Sequence, residues 1–217
     1  ILHSIQVFNK YPHITYLGLY KNEEEKQNIK IVKKNGIKIA FVSFNQYVNG
    51  VTYQEKLPYM INFHESTMME NMKKARENAD IVIVSCHWGI EYDYYPNIFQ
   101  KNMAKQLADA GADVIIGTHT HTLQDVEYIQ RADGKRTLVA YSLGNFVSGM
   151  LEESCQLEGM LSFDIEKKKI KNVVFTPLVN YYTLTGKRER HDFSVYRLKD
   201  YTNKLVEEHG FPNLTIP

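Results

Sequence analysis

No run of eighteen apolar residues occurs in this 217-residue chain, so nothing in it reads as a membrane-spanning helix. Cysteine is scarce. Cys86 and Cys155 do not make a disulfide framework in a chain of this length, and their spacing matches no zinc ribbon. Each reads as a small buried hydrophobe, and Cys86 is a poor catalytic partner for His87 because neighbours on a strand face opposite sides. Charge imbalance is lacking too: 26 basic against 25 acidic side chains give a net charge of +1, which argues against nucleic acid as a partner. The amino terminus, Ile1-Leu2-His3-Ser4, has neither an initiator Met nor a signal-like apolar core, as expected of a processed or partial chain. What is present is apolar material, 43% of residues, sufficient for the core of one ordinary domain spanning residues 1–217.

Apolar periodicity divides the chain into alternating elements. Asn35-Gly36 between the runs Ile29–Lys34 and Ile37–Phe44 is a strong hairpin signal. Met68, Met72, Ala75 and Ala79 recur at helical spacing within Glu65–Asn78, and the strand-like run Ile81–Ser85 follows. Pro96 opens a second helix with Phe99, Met103, Leu107 and Ala110 on its apolar face; Gly111 ends it, and Asp113–Ile116 reads as the next buried strand. Leu123–Ile129 and Thr137–Tyr141 form an antiparallel pair around Ala132–Lys135, and Leu157–Ile165 with Ile170–Thr176 form a hairpin around Glu166–Lys169. The basic turn there and the Lys187–Arg190 run read as solvated charge rather than as a polyanion patch. Phe193–His209 reads as a carboxyl-terminal helix and Phe211–Pro217 as a tail. The class is α/β with parallel strand units, whose active sites lie at the strands' carboxyl ends.

Two such ends carry histidine. The strand at residues 81–85 runs into Cys86-His87-Trp88-Gly89, and the strand at residues 113–116 runs into Gly117-Thr118-His119-Thr120-His121. A glycine-opened loop with imidazoles two residues apart suits metal ligation, because neutral imidazole donors must converge on one small volume. His3, His13, His64, His191 and His209 have no such context and read as ordinary surface residues.

The strings Ser85-Cys86-His87-Trp88-Gly89-Ile90-Glu91-Tyr92, Gly111–His121 and Tyr141-Ser142-Leu143-Gly144-Asn145-Phe146 together resemble the CapA family of poly-γ-glutamate capsule biosynthesis proteins, relatives of the calcineurin-type metallophosphoesterases. The likeness covers roughly residues 14 to 180. It implies a partial metallophosphoesterase-like α-β-β-α sandwich with mixed sheets. Residues 1–14 would match the helix after the family's Asn-Asn-His loop, and Thr15–Gly18 the next strand. The earlier Asp, Asn-Leu-Glu and Asn-Asn-His segments do not occur here. The carboxylates, the bridging ligand and the general acid are therefore expected in a missing amino-terminal segment, and this stretch is expected to be inactive alone.

By the same resemblance His87 and His119 bind one divalent ion and His121 the other. The metal would be Mn, Zn or Fe, with two ions in the full-length protein, held roughly 3.5 to 4 Å apart around an attacking hydroxide. Glu91 reads either as a carboxylate that orients an imidazole or contacts substrate, or as a solvent-facing loop residue. Trp88 with Tyr92, Tyr94 and Tyr95 forms an aromatic wall or, the favoured reading, packs the loop against the sheet. Asn145 reads as a cap supporting the pocket floor rather than as a ligand. The implied function is capsule biosynthesis or export with a phosphoesterase-like site acting on an anionic polymer or a phosphate-containing small substrate. The alternative is a non-catalytic assembly subunit that binds polymer or membrane capsule synthase subunits. The implied location is the extracellular face of a bacterial cell membrane. No pair of carboxylates flanks a recognisable cleft, which argues against glycoside hydrolysis.

Overall fold

The computed structural model describes residues 2–46, 65–185 and 189–209. His64, Lys187, Arg188 and the tail at Phe211–Pro217 lie outside the described residues. The chain divides into two compact units that alternate along the sequence: Ile1–Gly89, Asn97–Gly117 and Val126–Ala140 in the first, and Ile90–Pro96, Thr118–Asp125 and Tyr141–Pro217 in the second.

The first unit is built on a six-stranded mixed sheet. Its strands are β1 (Lys30–Lys34), β2 (Ile37–Asn45), β3 (Ile81–His87), β4 (Val114–Thr118), β5 (Val126–Gln130) and β6 (Arg136–Ala140), in the order β1-β2-β3-β4-β6-β5. β1 and β2 pair antiparallel across Asn35 and Gly36, whose φ angles of 51° and 77° are those a two-residue hairpin turn demands. β2 and β3 are parallel, with Asn45 opposite His87, and β4 and β6 are parallel.

The helix expected over residues 65–78 is present as α3 (Glu65–Asn78), after the short α1 (Leu2–Phe8) and α2 (Glu23–Gln27). Met68, Met72 and Ala75 on α3 are buried, as are Ala40, Val42 and Phe44 of β2 and Ile81, Val82, Val84 and Cys86 of β3. That alternation puts one face of the strands in the core and leaves Ile83, Ser85 and His87 of β3 half-buried. α4 (Ile98–Asp109) begins two residues after Pro96, because Asn97 is the N-cap in a reciprocal capping box with Gln100. Asp113 joins the strand starts: its carboxylate accepts from the Val82 amide at 2.8 Å and from Arg76 Nη1 at 2.8 Å.

The second unit holds a three-stranded antiparallel sheet of β7 (Leu157–Glu166), β8 (Lys169–Thr185) and β9 (Glu189–Arg197), followed by α5 (Asn203–His209). Val179, Tyr181 and Tyr201 centre its core, with Leu157, Tyr196, Leu198, Leu205 and Val206 packed against them.

Several expectations fail. Residues 193–209 are not one helix: Phe193–Arg197 belong to β9, with Ser194–Arg197 paired to β8, and only Asn203–His209 are α-helical. Buried Val179 and Tyr181 on β8 need a strand partner, and that pairing overrides local helical tendency. The helix of residues 1–14 reduces to Leu2–Phe8, and Thr15–Gly18 form no strand. The strand expected from Leu123 begins at Val126, while Leu123 makes an isolated bridge to Leu143. His209, read as a surface residue, is fully buried. Cys86 and Cys155 are buried and not joined in a disulfide, as expected.

Candidate functional site

In the second unit the segment after β4 alternates direction residue by residue. Thr120 and Thr122 are fully buried and turn inward: Thr120 Oγ1 donates to the Thr122 carbonyl at 3.0 Å, and Thr122 Oγ1 to the Asp93 carbonyl at 2.6 Å. His119 and His121 are thereby left half-buried with ring centroids 6.3 Å apart. The turn has a conformational cost. His119 and His121 adopt φ of 104° and 62°, conformations rare for residues bearing a Cβ, at roughly 1–3 kcal/mol each. Tyr92 and Phe146 share this irregularity with φ of 69° and 73°. The Tyr92 amide donates to the Thr120 carbonyl at 2.7 Å, tying residues 90–96 to the histidine loop.

Asn145 fixes the state of His121. Its Nδ2 donates to the carbonyls of Cys155 at 3.3 Å and His121 at 3.4 Å, so its Oδ1 is the atom facing His121 Nδ1 at 2.7 Å. An amide oxygen only accepts. His121 Nδ1 therefore carries a proton, and in the neutral ring the lone pair lies on Nε2, from which Glu91 Oε1 stands 3.8 Å away. This is the arrangement of metal-ligating histidines, whose second nitrogen donates to an oxygen that sets tautomer and ring orientation.

The turn carrying Asn145 is itself held by buried amides. Asn180 donates to the Ser148 carbonyl at 2.7 Å and to Gln156 Oε1 at 2.8 Å, and Gln156 donates to the carbonyls of Met150 and Glu152. Tyr92 lies with its ring centroid 6.1 Å from that of His121. Partial burial first, then the carboxylates of Glu152 and Glu91, raise its phenol, which keeps it a hydroxyl donor at neutral pH.

The expected residues are thus partly brought together. His119, His121, Glu91 and Asn145 share this region of the second unit. His87 belongs to the first unit, at the end of β3, where its carbonyl accepts from the Gln46 amide at 2.8 Å and the residue lines a small cavity with Phe44, Met68, Trp88 and Phe99. Trp88 is 2% exposed and takes no part in an aromatic wall. Tyr92, Tyr94 and Tyr95 are 43%, 58% and 77% exposed, so they do not pack the loop against a sheet either. Among the described residues no group of three or more His, Cys, Asp or Glu side chains is arranged to hold a metal ion. The roles of Thr120, Thr122, Gln156 and Asn180 were not legible, since buried hydroxyls and amides carry no periodic signal.

The family model described as bacterial capsule synthesis protein PGA_cap matches residues 1–150. The capsule biosynthesis protein CapA of Bacillus anthracis is 34% identical over 149 residues, 66% of this chain and 35% of its own length. The PGA biosynthesis protein CapA of Bacillus subtilis is 31% identical over 160 residues, 73% of this chain and 41% of its own length, so the chain spans about two fifths of these relatives. Among solved structures, the sulfate thiohydrolase SoxB of Thermus thermophilus aligns with a TM-score of 0.43 at 19% identity, over 68% of this chain and 24% of its own. Similarity of this extent establishes that the chain belongs to the PGA_cap family of bacterial capsule synthesis proteins.

Proposed function

We propose that the chain is part of a capsule biosynthesis protein, acting at the cell envelope, whose histidine loop contributes to a metal-dependent phosphoesterase-like site. The observation that carries this reading is the 2.7 Å bond from His121 Nδ1 to Asn145 Oδ1, which in the neutral ring leaves the Nε2 lone pair for a metal ion. In kind, the donors suit a borderline divalent ion such as Mn, Zn or Fe: imidazoles from His119 and His121, with Glu91 oriented towards His121. The 6.3 Å between ring centroids is near the outer limit for two imidazoles on one ion with metal–nitrogen bonds of about 2 Å, and it favours separate ions. His87 joins the set by family resemblance. Among the described residues the ligand set is incomplete. A bound ion would act as a Lewis acid towards an anionic polymer or a phosphate-bearing substrate. This chain's residues set the imidazole tautomer, hold the strained loop and present the tyrosines at its edge. The two units make one domain in this reading, because the chain passes repeatedly between them.

Calorimetric titration of the full-length protein with Mn²⁺ or Zn²⁺ tests the proposal. Binding that His119→Ala and His121→Ala each weaken at least tenfold supports it; binding unchanged in both variants refutes it. Loss of metal binding without any chelator-sensitive phosphoester turnover in the parent protein would favour the assembly-subunit alternative.

A further inference from the structure

Asn71 puts an amide on the buried side of α3, where Met68 and Met72 are its apolar neighbours. It is 4% exposed, and its side chain enters no hydrogen bond with any described group. Asparagine favours helices poorly, and a buried polar group without a partner is costly, so its presence at this position calls for a reason.

The reason lies in what it lines. Asn71 borders a cavity of about 10 Å³ in the first unit, room for one water-sized group, together with Ser43 of β2, Lys30 of β1, Lys26 of α2, Asn28 and Tyr20. These residues bring two cations and four neutral hydrogen-bond donors, and no carboxylate lines the cavity. Lys30 makes no ion pair among the described residues; its Nζ lies 5.5 Å from the centre of the Tyr16 ring. Burial above all raises the Tyr20 phenol, which keeps it a donor at neutral pH. A donor-rich, carboxylate-free pocket suits an oxyanion.

A second cavity, of about 130 Å³, shares Tyr20, Asn28, Ile29 and Lys30 with the first. Tyr16, Leu17, Leu19 and Glu25 complete its wall. A cavity of about 150 Å³ holds benzene, so this one takes roughly five or six heavy atoms. Glu25 Oε2 accepts the Lys21 amide at 2.6 Å, which fixes a carboxylate in this wall and disfavours a second anionic group there.

We propose that the two cavities form one binding site for a small molecule with a single oxyanion head, a carboxylate or a phosphate. The head takes the Asn71 amide and the Ser43 hydroxyl, with Lys26 and Lys30 neutralising its charge, and a compact uncharged body fills the larger cavity against Tyr16 and Leu19. The site shares no residue with the histidine loop and stands independently of the metal reading.

Titration of the full-length protein, ¹⁵N-labelled on asparagine, reads the site through the Asn71 side-chain amide, assigned by its loss in Asn71→Leu. Benzoate and phenyl phosphate are the probes, with acetate and inorganic phosphate for the head alone. Binding in the millimolar range that moves the Asn71 amide is expected. Lys30→Ala and Asn71→Leu, the latter followed through the Asn28 amides, should each weaken it at least tenfold, the worth of one charge-assisted hydrogen bond, while His121→Ala leaves it unchanged. If Asn71→Leu does not fold, Lys30→Ala, at an exposed strand position, carries the same expectation. The ring-bearing probes should bind at least tenfold more tightly than the heads alone, and the tighter of the two tells carboxylate from phosphate. An Asn71 amide that none of the four probes moves, or binding equally tight in Lys30→Ala, overturns the site. Equal affinity for benzoate and acetate, and for phenyl phosphate and phosphate, overturns the place given to the body.

Discussion

Raising the pH from about 5 to about 8 should destabilise this fold through Glu158, and the effect can be isolated by Glu158→Gln. A carboxyl whose folded pKa is raised contributes stability that is intact below its unfolded value, 4.5, and lost as pH climbs through the folded value, about 8. At about 1.4 kcal/mol per unit, the loss between pH 5 and pH 8 is about 3 kcal/mol. His209 works in the opposite sense. It is buried among Tyr181, Tyr182 and Tyr201, with Tyr201 Oη 2.6 Å from its Nδ1, and burial lowers its pKa from 6.5 to about 4. Its contribution is intact above 6.5 and is lost as pH falls towards 4. Between about 4.5 and 6.5 the unfolded chain gains a proton at His209 and loses one at Glu158, so the two slopes cancel and the joint contribution is flat; above 6.5 Glu158 alone acts. Urea melts of the parent and Glu158→Gln, followed by circular dichroism at pH 5, 6.5 and 8, measure this. The stability difference between them should move against the parent by about 3 kcal/mol across the range. A difference that stays constant with pH would refute the buried, neutral state of Glu158.

Other expectations follow from single contacts. Asn145→Ala should weaken metal binding by the full-length protein about 10- to 100-fold by releasing the His121 ring, as calorimetry would read. Gly144→Ala forces a Cβ against the Leu157 carbonyl at positive φ, and a loss of about 1–3 kcal/mol is expected in thermal or urea unfolding. Thr122→Val removes the donor to the Asp93 carbonyl and leaves that acceptor reliant on Gln124 Nε2 at 3.0 Å; about 1 kcal/mol of stability and faster amide exchange at Tyr92 should result. Met68→Ala opens a void at a fully buried α3 position and should cost about 2–5 kcal/mol in unfolding free energy.

What could be read from residues alone was what local periodicity and turn chemistry encode. Met68, Met72 and Ala75 at helical spacing located α3, and Asn35-Gly36 located the first hairpin. Asn145, expected as a support rather than a ligand, places its amide against His121 and Cys155. What escaped depends on distant partners. β9 exists because β8 needs a neighbour, and nothing within residues 193–197 announces it. His209 looks like any carboxyl-terminal histidine until three tyrosines from two segments enclose it. The burial of Trp88 agrees with the favoured packing reading, whereas the exposure of Tyr94 and Tyr95 does not, because which aromatics a loop covers is a tertiary outcome. The strain at His119 and His121 was foreshadowed only by the glycine that opens their loop.

The most direct test of the histidine loop as a metal ligand is an anomalous-difference map from crystals of the full-length protein grown with Mn²⁺ or Zn²⁺. A peak within about 2.0–2.3 Å of His121 Nε2, absent in His121→Ala crystals, is the expected result. Peaks elsewhere, with His121 Nε2 bonded only to solvent or to Glu91, would contradict it.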